Sequence, residues 1–390
     1  MDLLNLIPSV LRDVELKPIV SILLYFSALT VCLTICLSRA LKALPYSASA
    51  WVYTPLAVGS FYVTWTEIVA FLYGDYKDFI SGFPTNSPLE DGLLDEYLKT
   101  SDWFDAAYVA VTYDKFGWWW SSQLLNMAAV IVALFWSEGA HHWYRRGDRR
   151  GGPTFWMAGM ASAVAFVLVG FLGAMSTSFA LFLAQRQALD RTYSFRSVPN
   201  VTITVVLLFV FYCAAVTYTP YIPADSAMFG INLLLLHIAL ALPVVGAAGF
   251  GLVYHPKDKP SNSAAESRFS MRWLYKLLAL GNLFSYLAAT SRLDFNRSVL
   301  LDLFNAMFLN NCQKSITADL VFCTVIAHVF IVSSLVSLSK RSIIPIYKAL
   351  TVGALALVAT PAVGISVVFP TFLAWREKYI RPRSSHEKLQ

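Results

Sequence analysis

Apolar runs of about 20 residues recur along this chain from Pro18 to Trp375, and each is long enough to cross a hydrocarbon layer of roughly 30 Å as a helix. In lipid every backbone N–H and C=O must find its partner within the segment, so helices are the element to expect. Composition leaves little room for anything else. Of the 390 residues 57% are hydrophobic and only 14% charged, where an ordinary soluble domain carries about 25% charged residues. The fold class that follows is all-α, a polytopic transmembrane helix bundle with about eight or nine spans.

The spans are read at Pro18–Leu37, Trp51–Tyr73, Trp118–Trp136, Phe155–Leu183, Val201–Tyr221, Met228–Tyr254, Trp273–Thr290, Ile316–Leu338 and Ile344–Trp375. They form one membrane domain, 1–390, with a long polar loop at 74–116 and a basic tail at 376–390. Within that loop Trp103 to Phe116 suits an interfacial helix, since Trp103, Phe104, Tyr108 and Tyr113 fit a headgroup-level belt. Arg292 to Ser315 reads as an amphipathic stretch lying along the membrane surface.

The net charge of +6 comes from basic residues at span ends, among them Arg145, Arg146, Arg149, Arg150 and Arg376. Such residues meet anionic lipid headgroups, and nucleic acid is not an expected partner. Lys and Arg are shared too evenly between alternate loops to choose an orientation. The five cysteines include no C-x-x-C pair, so neither a disulfide framework nor a zinc site is expected.

An ionisable side chain inside a span is costly and invites a functional hypothesis. Glu67 follows Trp65 in an aromatic-rich run; a buried neutral carboxyl there suits a general acid, and a helix-pinning hydrogen bond is the plainer alternative. Glu138 and His142 lie four apart at the end of the third span and share a helix face, as a buried acid with its partner or as a structural ion pair. Asp319 and Ser315 are also four apart, so carboxyl and hydroxyl are expected to meet, with helix capping as the alternative. His237 and His328 read as hydrogen-bonded packing residues. Aromatic faces stabilise cations, which makes Trp65 and Trp120, with His142 and Ser315, the expected substrate contacts.

No Walker A loop, no Asp-Asp-x-x-Asp motif, no nucleophile elbow and no H-E-x-x-H pair occurs. No cofactor and no metal are expected, and ionisation of a diphosphate is not the expected chemistry.

Two segments carry a resemblance. Trp118 to Trp143, with Ser137-Glu138-Gly139-Ala140-His141-His142, and Asn310 to Asp319, reading N-N-C-Q-K-S-I-T-A-D, resemble the fungal integral-membrane terpene cyclases of meroterpenoid pathways of the ascochlorin and ascofuranone type. They are also similar to small bacterial membrane proteins with a Ser-x-x-x-Asp setting and a Glu-Gly at a helix end. The first resemblance implies a metal-free cyclase of the endoplasmic reticulum membrane, acting on a lipid-soluble epoxy-farnesyl phenol. One carboxylic acid would protonate an epoxide or alkene, aromatics would guide the cation, and a second group would remove a proton. Glu67, Glu138 and Asp319 are the candidate catalytic acids, with their order left open. A proton-coupled carrier and a non-catalytic lipid-binding protein are the competing classes, and the sequence leaves the oligomeric state open.

Overall fold

A computed structural model describes residues 17–82, 96–97, 100, 103–147, 164–190, 201, 203–223, 226–249 and 270–380. Among them every extended element is a helix: α1 (Lys17–Ala43), α2 (Ala50–Ser81), α3 (Trp103–Thr112), α4 (Lys115–Gly147), α5 (164–172), α6 (Met175–Asp190), α7 (Ile203–Tyr218), α8 (Ala227–Gly249), α9 (Met271–Ser291), α10 (Val299–Ala306), α11 (Asn311–Lys340), α12 (Ile346–Val363) and α13 (Ile365–Ile380). Seven of these, α1, α2, α4, α7, α8, α11 and α12, are long and apolar enough to cross a bilayer. The chain is a polytopic helical bundle.

The axis of the bundle is α4, in which every residue from Met127 to Trp136 is buried. A helix apolar on all sides must be wrapped by protein or lipid, and here α7, α8, α9, α11 and α13 wrap it. The opposite case is α12, which buries only Ala349 and Ala356 and leaves Ile346, Leu350, Leu357 and Val358 exposed. Lipid tails offer an apolar side chain as good a solvent as a protein core does, so small residues make the helix contact and large ones face outward.

Two expected spans are broken. Phe155–Leu183 was to be a single helix, but α5 stops at 172 and α6 starts at Met175. The amides of Gly173 and Ala174 both turn back onto the Val169 carbonyl, at 2.9 and 3.0 Å, closing the first helix so that the second begins with free N–H groups. Side-chain volume is excluded at the joint: a Cβ on Gly173 would stand 2.8 Å from the Val169 oxygen and 3.0 Å from Leu29 Cδ1.

Ile344–Trp375 is likewise two helices, α12 and α13, joined at Gly364 with φ 80° and ψ 152°, a conformation open almost only to glycine. The two run antiparallel, for the Lys348 amine near the start of α12 stands 5.5 Å over the Tyr379 ring near the end of α13. At the other end of the chain's polar loop, α2 continues eight residues past Tyr73 to Ser81, and Tyr97 donates to Asp75 at 2.7 Å to hold residues 96–97 against it.

With this much apolar surface facing outward, the protein is expected to stay in the pellet after an alkaline carbonate wash of membranes and to need detergent for release. Immunoblotting of supernatant and pellet checks this. Appearance in the carbonate supernatant would be incompatible with the bundle.

Candidate functional site

The break between α5 and α6 places a helix N-terminus inside the bundle. The first N–H groups of a helix have no partner within it and carry the positive end of the helix dipole. The group that meets them is Asp319 of α11, buried and 7% exposed. Its Oδ2 accepts the Met175 N–H at 2.9 Å and its Oδ1 the Ser176 N–H at 2.7 Å. The Ser176 hydroxyl donates to the same Oδ1. Oδ1 thereby accepts two hydrogen bonds and Oδ2 one, and Asp319 lines a cavity.

Ser176 has spent its own hydrogen on Asp319, so in the Ser60–Ser176 contact Ser60 is the donor. Thr177 Oγ1 lies 2.9 Å from Ser60 Oγ, nearer than its other acceptor, the Ala57 carbonyl at 3.5 Å, and supplies the next hydrogen. The result is a chain of three hydroxyls, Thr177 to Ser60 to Ser176, ending on the carboxyl. Thr177 itself lines a second, more open furrow of about 640 Å³ between α1, α2 and α6.

The cavity has a volume of about 280 Å³, near the lower end of the roughly 300–1,000 Å³ usual for small-molecule sites. Its wall is mainly apolar and aromatic, with Tyr25 and Phe26 from α1, Trp65 and Phe71 from α2, Trp118 from α4 and Phe171 beside the break. The same wall carries a second polar group, made by α3 and α8. His237 Nδ1 lies 2.7 Å from the Leu233 carbonyl, which only accepts, so Nδ1 carries the hydrogen. In the neutral ring Nε2 is then an acceptor, and Tyr108 donates to it at 3.1 Å. Tyr25 and Tyr212 donate to the Leu172 and Leu125 carbonyls. The Trp65 indole N–H is buried with no partner among the described residues, so an acceptor on a bound molecule would satisfy it.

The expected site residues separate on this map. Asp319, Ser315 and Trp65 all line the cavity. Ser315, however, is not the partner of Asp319; that part is taken by Ser176, 143 positions away. Nor does Asp319 sit at the start of its own helix, where Asn310 caps the Gln313 N–H at 2.8 Å; the dipole that favours it belongs to α6. Glu67 is half-buried on α2 and lines neither the cavity nor the furrow. Trp120 is turned away, donating its indole N–H to the Leu303 carbonyl of α10 at 2.8 Å. The side chains of Glu138 and His142 lie outside the described residues. Their backbone continues α4 beyond Ala128, its last cavity residue, and Glu138 is about 15 Å of helix rise further on.

His328 bonds to the Thr324 carbonyl at 2.9 Å and to Thr360 of α12 at 3.3 Å, a packing role. His237, read from sequence as packing, does pack but also lines the cavity and accepts from Tyr108 there. The signal for it was present in the sequence, since an imidazole within the apolar run Met228–Tyr254 is as costly as an acid. Tyr108 and Ser176 carried no such signal. Among the described residues no three His, Cys, Asp or Glu side chains converge as a metal-ligand set.

A family model matches residues 274–378. Its description is a protein of unknown function, DUF2834. The matched stretch runs through α9 to α13 and holds one wall of the cavity, with Cys312, Ser315 and Asp319. No curated protein and no solved structure matches the chain.

Proposed function

We propose that the cavity is the site of a metal-free, acid-initiated cyclisation of a lipid-soluble prenylated phenol carrying a terminal epoxide or alkene. The observation that carries this reading is the position of Asp319, on the wall of an aromatic cavity with three hydrogen-bond donors behind it. Those donors hold the carboxylate that remains once the proton has left, which assists release of the proton to a weakly basic epoxide or alkene. Tyr25, Phe26, Trp65 and Trp118 offer ring faces to the cation. Tyr108 with His237 is the base that ends the reaction: the tyrosine oxygen takes the last proton from the substrate as its own hydrogen passes to Nε2. The substrate is isomerised, and return of that proton to Asp319 restores the starting state. Endoplasmic reticulum is the membrane that the resemblance to fungal cyclases implies.

The test is to feed microsomes bearing the protein with farnesylated phenols, with and without the terminal epoxide, and to analyse products by mass spectrometry. A cyclised isomer of unchanged mass is expected. Running the reaction in heavy water separates the two starts, because alkene protonation leaves one deuterium on carbon and epoxide opening leaves it on exchangeable oxygen. Tyr108→Phe is expected to cut the cyclised product by about 10²-fold or more, with uncyclised or hydrated products in its place. Full recovery of product with the Phe variant would remove the Tyr108–His237 pair from the mechanism.

The break between α5 and α6 favours a second reading, a proton-coupled carrier, since carriers place helix N-termini and unwound backbone at their binding sites. The hydroxyl chain from the open furrow to Asp319 suits a proton path in that case too. Proteoliposomes distinguish the readings: a carrier moves an unaltered molecule together with protons, and a cyclase changes the molecule without net proton movement.

A further inference from the structure

Apart from the cavity, α7 and α9 leave a furrow of about 570 Å³ between them, lined by apolar groups such as Val206, Phe209, Ala214, Leu277 and Phe284. It extends from Val206 of α7 to Tyr221, in the turn that follows that helix, a rise of about 22 Å, longer than the roughly 15 Å depth of one leaflet's hydrocarbon. Its face is unusually apolar for a surface in water but ordinary for one in lipid, and its two ends differ. At one end Tyr218 and Tyr221 stack at 6.3 Å between ring centroids, both exposed, as interfacial tyrosines do.

Over the Tyr221 ring, 5.3 Å from its centroid, stands the guanidinium of Arg292, the residue that caps the end of α9. Its Nη1 is buried and, among the described residues, has no hydrogen-bond partner. The nearest acid in sequence, Asp294, is already paired with Lys115 of α4. A cation fixed on the face of Tyr221, with an unused buried donor, therefore stands beside one end of a chain-length apolar furrow. The fork of a guanidinium matches the oxygens of a phosphodiester, and the furrow matches an acyl chain.

We infer that the α7–α9 furrow is a binding site for one anionic phospholipid, its phosphodiester on Arg292 beside Tyr218 and Tyr221 and one acyl chain laid along the furrow toward Val206. The site is separate from the cavity and does not rest on the cyclase reading. A zwitterionic lipid brings a quaternary ammonium next to the same guanidinium, and a diacylglycerol brings no anion, so both bind less well.

The experiment is native mass spectrometry of the detergent-purified full chain, titrated with phosphatidylglycerol, phosphatidylcholine or diacylglycerol of matched acyl chains. One retained phosphatidylglycerol is expected, at least tenfold tighter than either competitor. Arg292→Gln should bring phosphatidylglycerol down to the level of phosphatidylcholine. Ala214→Trp, which fills the exposed furrow and leaves the cation in place, should lower retention of all three lipids. Inorganic phosphate in large excess should not displace the bound lipid. Equal retention of the three lipids by the parent protein overturns the inference whatever the variants do, as does retention by the Arg292→Gln chain at the parent level. Displacement by inorganic phosphate would assign Arg292 to a phosphate site without the furrow.

Discussion

Asp319→Asn is expected to reduce product formation per folded molecule by about 10²- to 10⁴-fold, the usual contribution of a general acid. An amide keeps the size of the side chain but has no proton to deliver to an epoxide or alkene. Its effect on stability is predictable from the same geometry. The amide oxygen can take over the Ser176 donors, which leaves the NH₂ group facing the Met175 N–H, now donor against donor. A buried donor without its acceptor costs about 1–3 kcal/mol, so thermal unfolding in detergent should shift downward as well. The two losses are separated by scaling product to the amount of folded protein. Glu67→Gln provides the contrast: Glu67 lines neither the cavity nor the furrow, so turnover should stay within a few-fold of the parent. Loss of activity with Glu67→Gln and retention with Asp319→Asn would reverse the assignment of the acid.

Gly364→Ala should be among the most destabilising single substitutions available in this chain, by about 3 kcal/mol or more. One part is backbone strain, about 1–3 kcal/mol for a non-glycine residue forced into such a conformation, here φ 80° and ψ 152°. The other is steric, since a Cβ would stand 2.3 Å from Gln123 Oε1 of α4. Gln123 has little freedom to withdraw, being buried with its Nε2 bonded to the Trp119 carbonyl at 3.2 Å; overpacking of this kind typically costs a further 1–3 kcal/mol or so. Gly230→Ala is the control. Nothing lies within 4 Å of a Cβ there, so in α8 the extra methyl should be neutral or stabilise by about 0.5–1 kcal/mol. Loss of folded protein on heating in detergent measures both. Equal melting of the Gly364→Ala and Gly230→Ala variants would mean that the joint between α12 and α13 is not the rigid feature described.

What the sequence determined by itself was the class of the protein and the position of most of its helices. Apolarity over the length of a bilayer is a local property, legible residue by residue: α1, α7, α8, α9 and α11 begin and end within about six residues of where their composition places them, and α2 and α4 begin there but run on past Tyr73 and Trp136. Local reading also singled out three residues that line the cavity: Asp319, because a carboxyl within an apolar run is costly; Ser315, by its spacing of four from Asp319; and Trp65, because ring faces stabilise cations. It failed where apolarity is continuous but the backbone is not: nothing in the hydropathy of Phe155–Leu183 or Ile344–Trp375 marks the joints at Gly173 and Gly364, whose conformations are set by what packs around them, Val169 and Leu29 in one case and Gln123 in the other.

The long-range partners of Asp319, His237 and Trp120 were decided by tertiary structure. Spacing of four residues placed Ser315 and Asp319 on one helix face, yet the bonds to Asp319 come from the start of α6, 143 and 144 positions away, because a broken helix offers several unpaired N–H groups where an intact neighbour offers one hydroxyl. Tyr108 and His237 meet across 129 positions. Trp120, adjacent in sequence to residues of the cavity wall, points to α10 instead. Periodicity fixes which way a side chain leaves its own helix; what it meets there depends on helix packing across the bundle, and that is information no local window contains.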